Sequence, residues 1–268
     1  MSKSNPFVGS ISRLLRKRSQ LAPRVIVFGD SHTASLIRAQ EFNERNGAYR
    51  HIEIFRLKKT KGEGTIGDIE TDVFLKTIEN LTADDYIFSA VGGNQYAVIS
   101  TIRPSPPFTF ASDGHDTIEI LQNVIIPRSV ISQYLSTGIY GSDGKLLDAI
   151  TKSTKAKIVH LIPPPPKQSN DFIKSSHETR FKEAGLDRLG VSSPELRIKC
   201  WKLQREILHD LCDRLGIAAL DPPQESLAPG GFLDEFFYGK DATHANRRYG
   251  ELVLKQIVDF STLQTTRI

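Results

Sequence analysis

Sulfur, charge of a single sign and long apolar runs are all scarce in this chain. Its 268 residues include 2 Cys, 1 Met and 1 Trp. Cys200 and Cys212 fall in one helical pattern, where about 1.5 Å of rise per residue holds them roughly 18 Å apart. Disulfide Cα atoms sit within about 7 Å of each other, so no bridge is expected. Sparse, unpaired cysteine fits a reducing compartment, and the expected location is cytoplasmic. No apolar run is long enough to span a bilayer, and the mean hydropathy is -0.28.

The 35 basic residues are interleaved with 31 acidic ones, leaving a net charge of +4. Without a basic stripe, nucleic acid is not an expected partner. The opening MSKSNPFVGSISRLLRKRSQLAPR puts its basic residues after its apolar ones and has no apolar core of secretory type. Phe7, Ile11, Leu14 and Leu15 fit one face of a short basic helix. Residues 1–22 therefore read as a basic tail or short helix docking on the domain, with weak membrane-surface association as the alternative.

What remains is an ordinary globular composition, 39% hydrophobic and 25% charged. A chain this long buries roughly 70–75% of its unfolded surface and needs no disulfide or metal staple. At about 150 residues per domain it could hold two, but no linker divides it, so residues 23–268 read as one domain. Apolar runs at 24–29, 51–57, 85–91, 157–162 and 217–220 read as buried strands bounded by polar, Gly or Pro residues. Helical patterns cover about 33–45, 68–80, 194–215 and 243–260, and the third places Trp201 in the core. This β–α alternation implies a parallel sheet covered by helices on both faces. Two stretches break the rhythm. Residues 97–153, with a helix expected over about 117–135, look like an insert over the top of the sheet. The PPPP run at 163–166 must end the fourth strand, because proline lacks a ladder donor.

Ligands of open α/β sheets sit at the carboxyl ends of the strands, and four such ends are chemically rich. They carry Gly29-Asp30-Ser31, GEGTIG from Gly62 to Gly67, Gly92-Gly93-Asn94 and Asp241-Ala242-Thr243-His244. Together they supply a hydroxyl, backbone N–H groups, a side-chain amide and an acid–imidazole pair, the components of acyl transfer. Each has a plainer explanation. Ser31 alone is more often a helix N-cap, Asn94 a turn residue, and Asp241 and His244 a capping pair on one face of a helix start. Their order along the chain favours the set over coincidence. The G-x-S-x-G elbow of α/β-hydrolases is absent, and GSDG at 141–144 reads as a turn. GEGTIG matches G-x-G-x-x-G formally, but no acid follows at the ribose-binding distance, so no dinucleotide is expected. GDSH, GGN and DATH also resemble parts of metallophosphoesterase sites, with too few ligands and Gln95 where a histidine belongs. No metal or other cofactor is expected. His160, inside a strand, reads as a hydrogen-bonded core histidine.

Taken together, GDSH at 29–32, a glycine after the second strand, GGN at 92–94 and DATH at 241–244 resemble the four signature blocks of the SGNH (GDSL-type) hydrolases, in that family's order and across nearly the whole domain. The resemblance implies a flavodoxin-like three-layer α/β/α sandwich around a central five-stranded parallel sheet. It implies Ser31 as nucleophile, His244 as general base and Asp241 as its orienting carboxylate. The implied oxyanion hole combines the Ser31 N–H, a glycine N–H (Gly67, with Gly64 in reserve) and the Asn94 side chain. His32 stands where the name-giving members have leucine, and with Gly93 and Gln95 it is expected to line the substrate pocket. The implied activity is hydrolysis of a small acyl ester, such as acetyl on a carbohydrate, through an acyl-enzyme. An O-acyltransferase using the same residues and a non-catalytic binding module are the alternatives.

Overall fold

The computed structural model describes residues 22–43, 47–61, 64–111, 123–176 and 179–265. The expected helix in the basic N-terminal tail and the first residues of the helix expected over 117–135 lie outside them.

Five strands form the central sheet: β1 (Val25–Gly29), β2 (Ile52–Arg56), β3 (Tyr86–Ala90), β4 (Lys157–Leu161) and β5 (Ala218–Leu220). Each falls inside an apolar run of the sequence. All neighbours are parallel, in the order β2-β1-β3-β4-β5. That is the flavodoxin-like arrangement, whose topological switch lies between β1 and β3. Parallel pairing sends every strand exit to one edge of the sheet, so the four polar segments converge by topology alone.

The helices are α1 (Thr33–Asn43), α2 (Thr71–Ile78), α3 (Gln95–Ser100), α4 (Arg128–Ile139), α5 (Lys145–Ser153), α6 (Asn170–Ser175), α7 (Thr179–Glu183), α8 (Leu186–Leu189), α9 (Pro194–Leu215) and α10 (Arg247–Thr265). Successive strand residues point to opposite faces, and the two cores divide accordingly. Val25, Val27, Phe88 and Val159 pack with Leu36 and Ala39 of α1 and Val253, Leu254 and Ile257 of α10. Ile26, Phe28, Ile87 and Ile158 pack with Phe74 of α2, Leu135 of α4, Leu147 of α5 and Leu208 of α9. The result is a three-layer α/β/α sandwich. No helix among the described residues is long and apolar enough to cross a membrane.

The 22-residue α9 shows why its boundaries were readable. Ser193 caps its N-terminus by accepting from the Leu196 N–H, proline stands in its first turn, and Gly216 closes it at φ 65°. Trp201 is buried and donates from Nε1 to the Pro163 carbonyl at 3.2 Å. Cys200 and Cys212 are both buried on this helix and unbridged, and burial pushes both thiols up to about 12.

Three local expectations change. The 97–153 segment does not simply lie over the sheet: α4 and α5 belong to the same layer as α9. GSDG is not a free-standing turn but part of a helical segment. Residues 140–144 form a π-helical turn joining α4 to α5, with Asp143 buried. The last helix begins at Arg247 rather than Thr243, which leaves the DATH segment in the loop before it.

His160 of β4 is fully buried beside Ser89, with 3.3 Å between its Nδ1 and the serine Oγ. Burial, reinforced by nearby His209, lowers its pKa to about 4. An unfolded histidine binds a proton below about 6.5, which this buried ring resists until about pH 4, so stability falls as pH drops through that window. From this ring the loss at pH 5 is about 2 kcal/mol relative to neutral pH. His160→Leu is expected to lose less stability than the wild type between pH 7.5 and pH 5 in urea titrations. An equal loss in the two proteins would refute the assignment.

Candidate active site

Strand β1 ends at Gly29 because nothing larger fits. A Cβ there would lie 2.7 Å from the Ala90 carbonyl oxygen of β3. The chain then turns through Asp30 and Ser31 into α1. The Asp30 carbonyl accepts from the Thr33 hydroxyl at 2.6 Å, and the Ala34 N–H donates to the Ser31 carbonyl at 3.2 Å. The Ser31 hydroxyl caps none of these N–H groups, contrary to the expected N-cap. Beside it, Asp30 accepts from Lys59 Nζ at 3.2 Å. Burial raises the Asp30 pKa, but His32 and Lys59 outweigh that effect and hold it below its ordinary value.

Asn94 follows the neighbouring strand β3. It occupies the N-cap position of α3 yet makes no side-chain cap bond, and its buried side chain meets His32 instead. The capping is done from elsewhere. Gln204 of α9, fully buried, accepts from the Tyr96 N–H at 2.7 Å and donates to the Gly92 carbonyl at 2.9 Å. The amide that would ordinarily close this helix is thereby released into the site.

After β2 the chain forms a short hairpin, Lys59–Lys61 paired with Gly64–Ile66. Of GEGTIG, Gly64–Ile66 therefore lie on an arm of an antiparallel hairpin and not in a strand-to-helix turn. Gly67 leaves this hairpin at φ 113°, and a Cβ there would fall 2.4 Å from the Leu57 carbonyl oxygen, so glycine is required. Asp68 pins the loop, accepting from the Arg56 N–H at 3.0 Å and donating its own N–H to the Arg56 carbonyl at 2.7 Å. Gly64 sits exposed on the second hairpin arm.

The acid–imidazole pair is formed in the loop before α10. Asp241 Oδ2 lies 2.8 Å from His244 Nδ1, and Oδ1 accepts from the backbone N–H groups of His244 (2.7 Å) and Thr243 (3.0 Å). Burial pulls the Asp241 carboxyl upward, but the His244 ring and these two N–H groups overcome it and hold the group far below the usual carboxylate range. The two residues meet, although a loop and not a shared helix face brings them together. The His244 Nδ1 faces Asp241, and its Nε2 is buried.

The His32 ring lies 5.2 Å from that of His244, centroid to centroid. It also presses on Gly93, where a Cβ would come within 1.8 Å of His32 Nε2. The His32 ring also meets the Asn94 side chain, and burial outweighs that contact to lower the ring's pKa to about 4. His32, Gly93, Asn94 and His244 thus share one enclosure. Gln95 faces elsewhere, against Gly138 of α4, in a groove with Tyr134. Among the described residues, no group of three or more His, Cys, Asp or Glu side chains is placed to hold a metal ion.

Two buried cations brace the pair, and neither stands out in the sequence. Lys167, 1% exposed, donates from Nζ to the carbonyls of Gly239 (2.9 Å) and Asp241. Its ammonium also lies 4.5 Å from the Phe172 ring centroid and 5.0 Å from that of Tyr238. Arg197 of α9 in turn donates to the Lys167, Gln168 and Ser192 carbonyls. The only local hint was a lysine placed directly after a buried proline run.

The fold and site define a flavodoxin-like α/β protein with a carboxylate–imidazole pair at the carboxyl edge of its sheet. Among solved structures the chain is similar to an extracellular lipase from Streptomyces rimosus, at 12% identity and TM-score 0.48 over 90% of this chain and 100% of that one. It is similar to a GDSL-like lipase from Bacteroides thetaiotaomicron, at 13% identity and TM-score 0.44 over 96% and 99%. It is also similar to a carbohydrate acetylesterase from Sinorhizobium meliloti, at 11% identity and TM-score 0.41 over 89% and 99%. No protein-family model and no curated protein matches the chain. Likeness at this level adds nothing to what the sheet order and side chains establish directly.

Lys167→Met strips a charged donor from two loop carbonyls and is expected to cost on the order of 2–5 kcal/mol. Urea unfolding measures it, and a cost below about 1 kcal/mol would show the brace to be dispensable.

Proposed function

We propose that the protein is an SGNH-type serine hydrolase that cleaves small acyl esters through an acyl-enzyme on Ser31. The observation carrying this reading is the Asp241–His244 pair: its carboxylate is held ionised and bonded to Nδ1, which assigns the role of base to Nε2. Ser31 sits at the end of β1, on the sheet edge that this loop overlies, with its hydroxyl uncommitted to helix capping. Catalytic hydrogen bonds often tighten only in the substrate complex, and the Ser31 hydroxyl closes on Nε2 at that stage.

In the reaction, His244 takes the Ser31 proton as the hydroxyl attacks the ester carbonyl, and Asp241 stabilises the resulting imidazolium. The Ser31 N–H, the Gly67 N–H and the Asn94 amide hold the tetrahedral oxyanion. Its collapse expels the alcohol, which receives the proton from His244. Water then attacks the acyl-enzyme with His244 again as base, releasing the acid and restoring Ser31. Asn94 suits its role because Gln204 has taken over the capping of α3. The imidazole of His32 lies against Gly93 and beside His244, a crowded setting that favours short acyl groups. Acetyl esters of sugars are the substrate class to test first.

Hydrolysis of 4-nitrophenyl acetate is expected to vanish in Ser31→Ala and to be indifferent to a chelator. Activity that survives Ser31→Ala but is lost on chelation would overturn the assignment. Asn94→Ala is expected to lower turnover by on the order of 10²–10³. A loss of less than about tenfold would exclude Asn94 from the oxyanion hole.

A further inference from the structure

His32 has a second face. Besides bordering His244 and Gly93, it walls an apolar cleft lined by Leu36, Ala90, Leu161, Leu220 and Val253. This cleft runs past the carboxyl ends of β3, β4 and β5, the edge where open α/β sheets bind ligands. Its rim includes two proline pairs, Pro163-Pro164 and Pro222-Pro223, whose fixed φ angles make it rigid. Neither His244 nor Asn94 reaches the cleft lining; the His32 imidazole stands between them and it.

From this arrangement we infer that the cleft is an acyl-chain subsite and that His32 is the specificity-determining wall that closes it. The inference rests on the ester-hydrolase reading and extends it to the acyl half of the substrate. An acetyl group ends at the imidazole, whereas a longer chain meets the ring and reaches the cleft only when the ring is absent or withdrawn. Two observations support this occupant. The cleft is apolar and preformed, as an alkyl chain requires. It shares a wall with the groups assigned to the chemistry. The low pKa of the ring keeps it neutral at ordinary pH and compatible with an apolar neighbour.

The test compares 4-nitrophenyl acetate with 4-nitrophenyl butyrate on the full-length wild type, His32→Ala and the double variant His32→Ala/Leu220→Phe. The two extra methylenes of butyrate, once buried, raise the butyrate-to-acetate ratio of kcat/KM by roughly tenfold in His32→Ala. Leu220→Phe, which fills the cleft from its far side, returns the ratio toward the wild-type value. His32→Val gives the same direction at smaller size should the alanine variant fail to fold. An unchanged ratio in enzyme whose Ser31 still reacts with a fluorophosphonate overturns the subsite. So does a gain that persists in the double variant, because the chain would then occupy only the space left by the imidazole. A wild-type protein whose Ser31 does not react brings down the hydrolase reading itself, and the subsite with it.

Discussion

The close approach of β1 and β3 at their carboxyl ends governs the geometry of everything above the sheet. Gly29 lies in register with Ala90, and the absence of a Cβ lets the chain bend away at once toward Ser31. The switch in strand order falls between these same two strands, so the loops carrying Ser31 and Asn94 start side by side. A bulkier residue at position 29 would displace the first turn of α1 from the strand end. A second close approach, between Gly250 of α10 and the Ser35 carbonyl oxygen of α1, fixes that helix from the other side: a Cβ there would come within 2.1 Å. The helix carrying Ser31 at its head is thus set by backbone contact at both places, where little can be adjusted by side-chain rotation.

Polar groups reaching in from distant helices hold the loops themselves. Gln204 spans 108 residues to serve the Tyr96 N–H, and Lys167 spans 72 to reach the Gly239 carbonyl. Buried polar groups of this kind are expensive unless satisfied, and each here is satisfied by loop backbone that would otherwise lack partners. The arrangement links catalytic geometry to the core. The α9 helix packs on the sheet through Leu203 and Leu208, and the same helix carries Gln204 to the Asn94 loop and Arg197 to the Lys167 carbonyl. Precision at the site therefore derives from burial of an amphipathic helix whose apolar and polar contacts cannot shift independently.

That division also explains what the sequence could disclose. The strands were legible because each is a short apolar run with clear punctuation, and α9 because its cap, first-turn proline and terminal glycine are local signals. Ser31, Asn94, Asp241 and His244 stood out because each lies directly after a strand or before a helix, in segments too polar for packing alone. The role of Gln204 could not be read the same way: it is one polar residue within a long helical pattern, and its partners are set by tertiary contact. Lys167 was invisible for a related reason, since a lysine in a loop ordinarily reads as solvent-exposed. The helical start assigned to Asp241 and His244 failed because backbone N–H groups fold onto the aspartate in a capping-like turn, and the true helix begins three residues beyond His244.

His32 shows how specificity can be separated from this rigid frame. Its backbone is fixed by the turn that presents Ser31, yet its ring belongs to neither the acid–base pair nor the core. Leucine at this position would pack against the same apolar cleft but would lose the polar contact of the imidazole with Asn94, so packing alone gives no reason for the imidazole. On the proposed reading, a ring that borders both His244 and the cleft decides what enters without touching the bonds that change. Selectivity assigned to one side chain on an otherwise fixed turn can then vary while Gly29, Gln204 and Lys167 hold the loops in place.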